Sequence, residues 1–189
     1  MSLIATPSQT VGPFFHLGFD WLLQREIAPA GIAGERVTVA GRVLDGDGRP
    51  VSDALIEVWQ ADAEGRYAHP EDPRAVEVDS RFRGFGRVAT DGQGAFQFTS
   101  VKPGRVPGPD GRMQAPHWLV TIFMRGLLKH LVTRVYFPDE PANEEDPILA
   151  LVDPERRRTL IARRTGANPS ALEWNVVLQG ADETVFFDC

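Results

Sequence analysis

Four histidines (His16, His69, His117 and His130) and two tyrosines (Tyr67 and Tyr136) are the side chains best able to hold a metal or move a proton. Their spacing does not gather them. No His-x-His lies on a strand pattern and no two histidines stand four apart on a helical one, so the usual paired-ligand arrangements are not spelled out. Taken singly, each histidine reads as a surface or hydrogen-bonded core imidazole. Tyr136 sits inside an apolar run and reads as core rather than ligand. Nucleophilic chemistry fares no better. Ser8, Ser52, Ser80, Ser100 and Ser170 lie in no elbow pattern. The single cysteine, Cys189, excludes an intrachain disulfide and a thiolate metal site. Gly84-Phe85-Gly86 runs into Arg87, not into a phosphate-binding helix start.

The elements that would position a site are strands. Residues 36–44 alternate with period two, and Asp45-Gly46-Asp47-Gly48 after them is a turn signal. Residues 53–60 alternate again, with Leu55, Glu57 and Trp59 on one face and Ile56, Val58 and Gln60 on the other. Asp91-Gly92 precedes a strand over Ala95–Val101. Residues 117–123 form a nearly continuous apolar run suited to a buried sandwich strand, and Leu131–Phe137 and Trp174–Leu178 read as two more. A helix is expected from Asp153-Pro154-Glu155, an N-cap, a first-turn proline and an acidic residue, to about Arg164, with Leu160 and Ile161 inward. Residues 17–26 read as a second short helix. The fold class is therefore all-β: an antiparallel β-sandwich with long loops and one or two short helices. The loops at 60–87 and 103–117 are strand-poor and long enough to be functional or interfacial. The acidic segment 139–147 reads as solvated.

A chain of 189 residues with 42% hydrophobic residues can build one core, so residues 1–189 read as a single domain. A net charge of −6 argues against non-specific nucleic-acid binding. No stretch reaches the roughly 18 apolar residues of a membrane span. The first residues show no basic region followed by an apolar run, so the cytoplasm is the expected location.

Several strings resemble the intradiol ring-cleaving dioxygenases. They are Thr6-Pro7-Ser8-Gln9-Thr10-Val11-Gly12-Pro13-Phe14, then Leu55-Ile56-Glu57-Val58-Trp59-Gln60-Ala61-Asp62 followed by Gly65-Arg66-Tyr67, then Phe85-Gly86-Arg87, Thr90-Asp91-Gly92, Val101-Lys102-Pro103-Gly104, Val135-Tyr136-Phe137, and Gly180 to Asp188. They fall in order along nearly the whole chain. The resemblance is to those members that pair two homologous chains. It implies that a beta-type partner holds Fe(III) through two tyrosinates and two histidines, in "GRY", "KPGxYPW" and "RPAHIHF" contexts. Hard anionic oxygens favour the ferric state, which activates a bound catecholate toward O2.

This chain departs from that pattern. Tyr67 matches the first tyrosine. Val106, in Lys102-Pro103-Gly104-Arg105-Val106, stands where the second should be. Aligning the proline of Ala115-Pro116-His117-Trp118-Leu119-Val120 puts Trp118 and Val120 at the histidine positions, with His117 displaced to the other face. The resemblance thus implies an alpha-type chain with no catalytic residue and no metal of its own, Tyr67 being a relic ligand position at most. It implies a higher-order hetero-oligomer with the beta-type subunit. Residues 1–35 would form an arm packing on that partner, and Val11, Gly12, Pro13 and Arg125 would line the partner's substrate pocket. The substrates implied are O2 and 3,4-dihydroxybenzoate, whose ring opens between the hydroxyl-bearing carbons to 3-carboxy-cis,cis-muconate. Read without the resemblance, Arg125 is equally a surface salt-bridge partner and Gly12-Pro13 an ordinary turn. Two other readings stand beside it: a self-sufficient dioxygenase with a remodelled site using Tyr67, His69 and His117, and a transthyretin-like binding module.

Overall fold

The alternation of residues 36–44 becomes the spine of the molecule. The computed structural model describes residues 7–12, 18, 20–108, 110–166 and 168–188. In chain order its strands are β1 (Arg36–Leu44), β2 (Leu55–Trp59), β3 (Phe85–Ala89), β4 (Ala95–Val101), β5 (Val106–Pro107), β6 (Met113–Gln114), β7 (His117–Phe123), β8 (Leu131–Tyr136), β9 (Arg163–Arg164), β10 (Ala171–Glu173) and β11 (Val176–Val177). β1 pairs antiparallel with β4 along its length. Its other edge takes β10 and β11, both parallel to it. A second sheet runs β3-β2-β7-β8, all antiparallel, and β5 and β6 form a small separate hairpin.

The two sheets face each other across one apolar core. Val37, Val39 and Val43 of β1 and Phe96 and Phe98 of β4 meet Ile56 and Val58 of β2 and Trp118, Val120 and Ile122 of β7. Trp118 is fully buried, edge-on to Phe98 with ring centroids 5.5 Å apart and against Phe137 at 4.4 Å. Burying such a ring contributes roughly 3 kcal/mol. Its indole nitrogen donates to Gln60 Oε1 at 2.7 Å. Gln60 Nε2 donates to the carbonyls of Ala61 and Val101 at 2.9 and 3.0 Å, so this buried amide is satisfied. Gln60 thus lies on the Ile56 and Val58 face, as the alternation requires.

The expected strand at 174–178 is interrupted. β10 and β11 are two pieces of one edge, broken where Trp174 N donates to Ala40 O and the side chain of Asn175 accepts from Arg42 N at 2.9 Å. Gly41 allows this: a Cβ there would stand 1.7 Å from the Trp174 carbonyl oxygen.

Neither expected helix forms among the described residues. Asp153 does accept from Glu155 N at 2.9 Å, but only a single 3-10 turn, Arg157–Thr159, follows. Beyond it the backbone is taken by tertiary pairing: Tyr136 N donates to Leu160 O and Ala162 N to Tyr136 O. The inward placement of Leu160 holds, since it is fully buried. Of residues 17–26 the described part has one 3-10 turn, Asp20–Leu22, after which Gln24 pairs with Arg87 and Ile27 N donates to Thr99 O. Extended pairing again outcompetes local helix, whose short isolated form is marginal. The strand-poor loops also hold β3, whose Phe85 and Arg87 lie at their margin, and the β5–β6 hairpin.

Segment 139–147 is a further correction. Asp146 is fully buried rather than solvated, and Glu140 is tied to Lys102 Nζ at 2.6 Å. The acidic character of the segment is structural at these two positions.

Candidate functional site

Two places on the fold carry the predicted residues. The first is the outer face of the four-stranded sheet. Directly opposed residues on neighbouring strands share a face. Phe85, Trp59, Leu119 and Arg134 form one such row, since Trp59 opposes Phe85 and Leu119, and Leu119 opposes Arg134. The neighbouring row pairs His117 with Tyr136. Above these rows lies the loop after β2. Tyr67 stacks parallel to Trp59 with centroids 6.0 Å apart, and His69 meets the same indole edge-on at 6.0 Å. Trp59, Tyr67, His69, Arg74 and Pro107 wall a cavity of about 600 Å³.

This settles a register. Tyr67 lies on the side of His117 and Leu119, while Trp118 and Val120 point into the core between the sheets. The β7 residues on Tyr67's side of the sheet are therefore His117 and Leu119, and the expectation of Trp118 and Val120 is off by one. The alignment on Pro116 caused it, because a one-residue slip exchanges the faces of a strand.

The electrostatics of this face are set by burial and by the charge of Arg134. Tyr67's phenol is pushed up by burial, against the pull of Arg134's charge, so its proton is retained. His117 is pushed down to about 4, first by burial and then by Arg134. Its Nδ1 lies 2.7 Å from Ala115 O, and a carbonyl only accepts, so Nδ1 carries the proton. Val106, 3% exposed, and Leu119 offer no donor atom to a metal. His69 Nδ1 accepts from Glu71 N at 3.2 Å. Among the described residues no group of three or more His, Cys, Asp or Glu is placed to hold a metal ion. A remodelled set of Tyr67, His69 and His117 gains no support from this geometry.

Sequence reasoning missed three residues on this face. Arg134 Nη1 donates to Gln114 Oε1 at 2.6 Å and lies 3.5 Å from the Tyr136 hydroxyl, which donates to Asp146 Oδ1 at 3.1 Å. One signal was available: Arg134 interrupts the apolar run Leu131–Phe137, and a charge inside a strand needs a partner or a purpose.

The second place is the end of the β7–β8 hairpin. Gly126 N donates to Thr10 Oγ1 at 2.7 Å, which brings the segment 7–12 to the loop carrying Arg125. Val11 is half-buried there and, with Ser8, Phe123, Met124 and His130, lines a shallow cavity of about 290 Å³. Arg125 is exposed, and its Nε pairs with Asp53 Oδ2 at 2.9 Å. Gly12 is exposed, with nothing within 4 Å of where a Cβ would be. Val11, Gly12 and Arg125 thus belong to one end of the molecule. Pro13 and His16 lie outside the described residues. No helix among the described residues is long and apolar enough to cross a membrane.

Two facing sheets, with the Tyr67 loop laid over the outer face of one, define a β-sandwich that carries a cavity on that face. A family model described as "Dioxygenase" matches residues 23–180, and the chain belongs to the intradiol dioxygenase family. It is 46% identical to the protocatechuate 3,4-dioxygenase alpha chain of Burkholderia cepacia, over 99% of this chain and 98% of that one. It is 40% identical to the beta chain from the same organism, over 80% of this chain and 67% of that one. Among solved structures, an intradiol ring-cleavage dioxygenase from Tetranychus urticae shares the fold, with a TM-score of 0.65 and 20% identity over 82% of this chain and 86% of that one.

Proposed function

We propose that this chain is the non-catalytic alpha subunit of a cytoplasmic protocatechuate 3,4-dioxygenase. The observation that carries this is the pairing of end-to-end similarity to an alpha chain with Leu119 on the outer sheet face and Val106 in the string after Lys102-Pro103-Gly104, two places where the resemblance calls for donor atoms and the side chains have none. A homologous beta-type partner would hold Fe(III), which supplies activation of the bound catecholate toward O2. The product of 3,4-dihydroxybenzoate and O2 is then 3-carboxy-cis,cis-muconate, with both oxygen atoms retained.

The part left to this chain is positioning. The arm expected over residues 1–35 packs on the partner through its part before Gln24, since Gln24, Ile27 and Ala28 are taken up by this chain's own sheets and core, and Val11, Gly12, Pro13 and Arg125 line the partner's substrate pocket. The bareness of Gly12 supports this, because no neighbour among the described residues requires a glycine there. Arg125 is exposed and pairs with Asp53 through Nε, and a guanidinium's remaining donors suit the planar carboxylate of the substrate.

Iron content and the visible tyrosinate-to-iron band test the reading, for the chain purified alone and for the chain co-expressed with a beta-type partner. No iron alone, and one ferric ion per pair with oxygen uptake on protocatechuate, is the expected result. Stoichiometric iron and activity in the lone chain would overturn it. In the active complex, Arg125→Ala is expected to raise KM for protocatechuate by roughly 10-fold or more while leaving catechol, which lacks the carboxylate, nearly unchanged. Equal changes for both substrates would remove Arg125 from the pocket.

A further inference from the structure

Segment 7–12 is joined to the body of the protein by very little. Ser8, Gln9, Thr10 and Gly12 are exposed, and Val11 is half-buried. Among the described residues one hydrogen bond ties the segment to the rest of the chain: Gly126 N donates to Thr10 Oγ1 at 2.7 Å, across 116 positions. The groove beside it is shallow, with Ser8, Gln9 and Val11 facing Phe123, Met124 and Leu127.

A turn makes the partner of Thr10 ready. β7 and β8 are joined through residues 124–127, where Leu127 N donates to Met124 O at 3.4 Å and Gly126 takes a φ of +89°. A positive φ at the third position marks a type II turn, and glycine adopts it without strain. The bond that closes such a turn uses the amide of its fourth residue, so the amide of the third is left over for the arm. The second position is Arg125, whose Nε pairs with Asp53 Oδ2 at 2.9 Å, just before β2. One turn therefore holds both pieces that the proposed function assigns to the partner's pocket. It presents Arg125 from its second residue and binds the arm beside Val11 and Gly12 from its third.

We infer that Thr10 is a positioning residue for the partner's pocket, and that its bond to Gly126 sets Val11 and Gly12 in register with Arg125. Thr10 acts through the arm, and the arm does no chemistry, so the bond bears on substrate binding and not on turnover. An arm freed from the turn samples undocked positions. The pocket then binds substrate only for the fraction of time that its wall is in place. The inference rests on the reading that the arm and Arg125 line the partner's pocket.

The test uses the lone chain and the co-expressed complex. In the lone chain, hydrogen exchange of the Gly126 amide should be at least roughly threefold faster in Thr10→Val, which keeps the side chain's shape and deletes its acceptor, than in the parent or in Thr10→Ser. In the complex, Thr10→Val is expected to keep its iron and to hold kcat within about twofold. Its KM should rise roughly three- to tenfold for protocatechuate and for catechol alike, because the arm walls the ring and not the carboxylate. Thr10→Ser keeps the hydroxyl and should stay within about twofold of the parent on both substrates. This pattern separates the tether from Arg125→Ala, whose effect is confined to the substrate with a carboxylate. An unchanged KM in Thr10→Val overturns the inference, as does a rise confined to protocatechuate, or a serine variant no better than the valine one. Equal Gly126 exchange in all three chains also overturns it. A parent complex that takes up no oxygen is a different result: it removes the reading of the partner's pocket, while the exchange rates still decide whether Thr10 holds the arm.

Discussion

Replacing Asp146 by alanine should cost this protein much of its stability, although the residue lies in a segment that the sequence paints as an acidic surface loop. The carboxylate is fully buried and accepts four hydrogen bonds: from Ala115 N at 2.7 Å, Leu149 N at 2.7 Å, Ile148 N at 2.9 Å and the Tyr136 hydroxyl at 3.1 Å. Alanine leaves all these donors without an acceptor. At about 1–3 kcal/mol for each buried group left unpaired, and allowing partial rescue by water, the loss is roughly 4 kcal/mol or more. Set against a typical total of roughly 5–15 kcal/mol, that is a large fraction. For a chain of this size it corresponds to a fall in Tm of about 8–16 °C. Asp146→Asn keeps one acceptor oxygen and opposes an amide N–H to Ala115 N, so about 1–2 kcal/mol is expected. Tyr136→Phe should cost about 1 kcal/mol in the parent and close to nothing once Asp146 is alanine, a non-additivity that marks a shared interaction. The assay is thermal and urea unfolding of the two single variants and the double. An Asp146→Ala chain melting within about 2 °C of the parent would refute the reasoning, as would full additivity with Tyr136→Phe.

Two further outcomes can be read in the same instruments. Gly41→Ala places a Cβ 1.7 Å from the Trp174 carbonyl, and the urea midpoint should report a loss of about 3 kcal/mol because both sides of the clash are backbone. His117, held neutral by burial with its pKa lowered to about 4, makes stability fall with acid. Its folded pKa lies below the unfolded value of about 6.5, so the unfolded chain takes up the proton first; the contribution is intact above pH 6.5 and declines down to about pH 4, amounting to roughly 2–3 kcal/mol between pH 7 and 4.5. His117→Asn should flatten the stability profile by that amount across that window, and an unchanged slope would show that the imidazole does not titrate as its burial requires.

The sandwich was legible where alternation was strong. β1 and β2 fall where period-two patterning puts them, β4 follows its turn signal, β7 and β8 fall on the apolar runs, and Gln60 shares the Ile56 and Val58 face. What escaped was set by pairing at a distance. Asp153-Pro154-Glu155 is a sound helix start, yet Leu160 and Ala162 find partners on Tyr136 that no local window contains. The break between β10 and β11 is invisible until Gly41 and Trp174 are seen to meet. Tyr67 was found through resemblance, not spacing, since it stands 50 residues from His117 and reaches its face only by stacking on Trp59. Asp146 was misread because acidity alone says nothing of burial, and Arg134 because one charge in an apolar strand passes for noise.

The parallel pairing of β1 with β10 and β11 has a consequence for how the chain reaches this fold. Arg42 and Asn175, bonded to each other, are separated by 133 positions. During synthesis one edge of β1 is therefore complete in sequence long before the strands that cover it exist. Contacts of such separation slow folding, because the closure entropy is lost before the contact forms. An uncovered strand edge is also a template for mispairing with other chains. This later stretch thus acts as a latch, and the yield of native protein in the cell should depend on how quickly residues 171–177 find β1 rather than on how fast the early hairpins form.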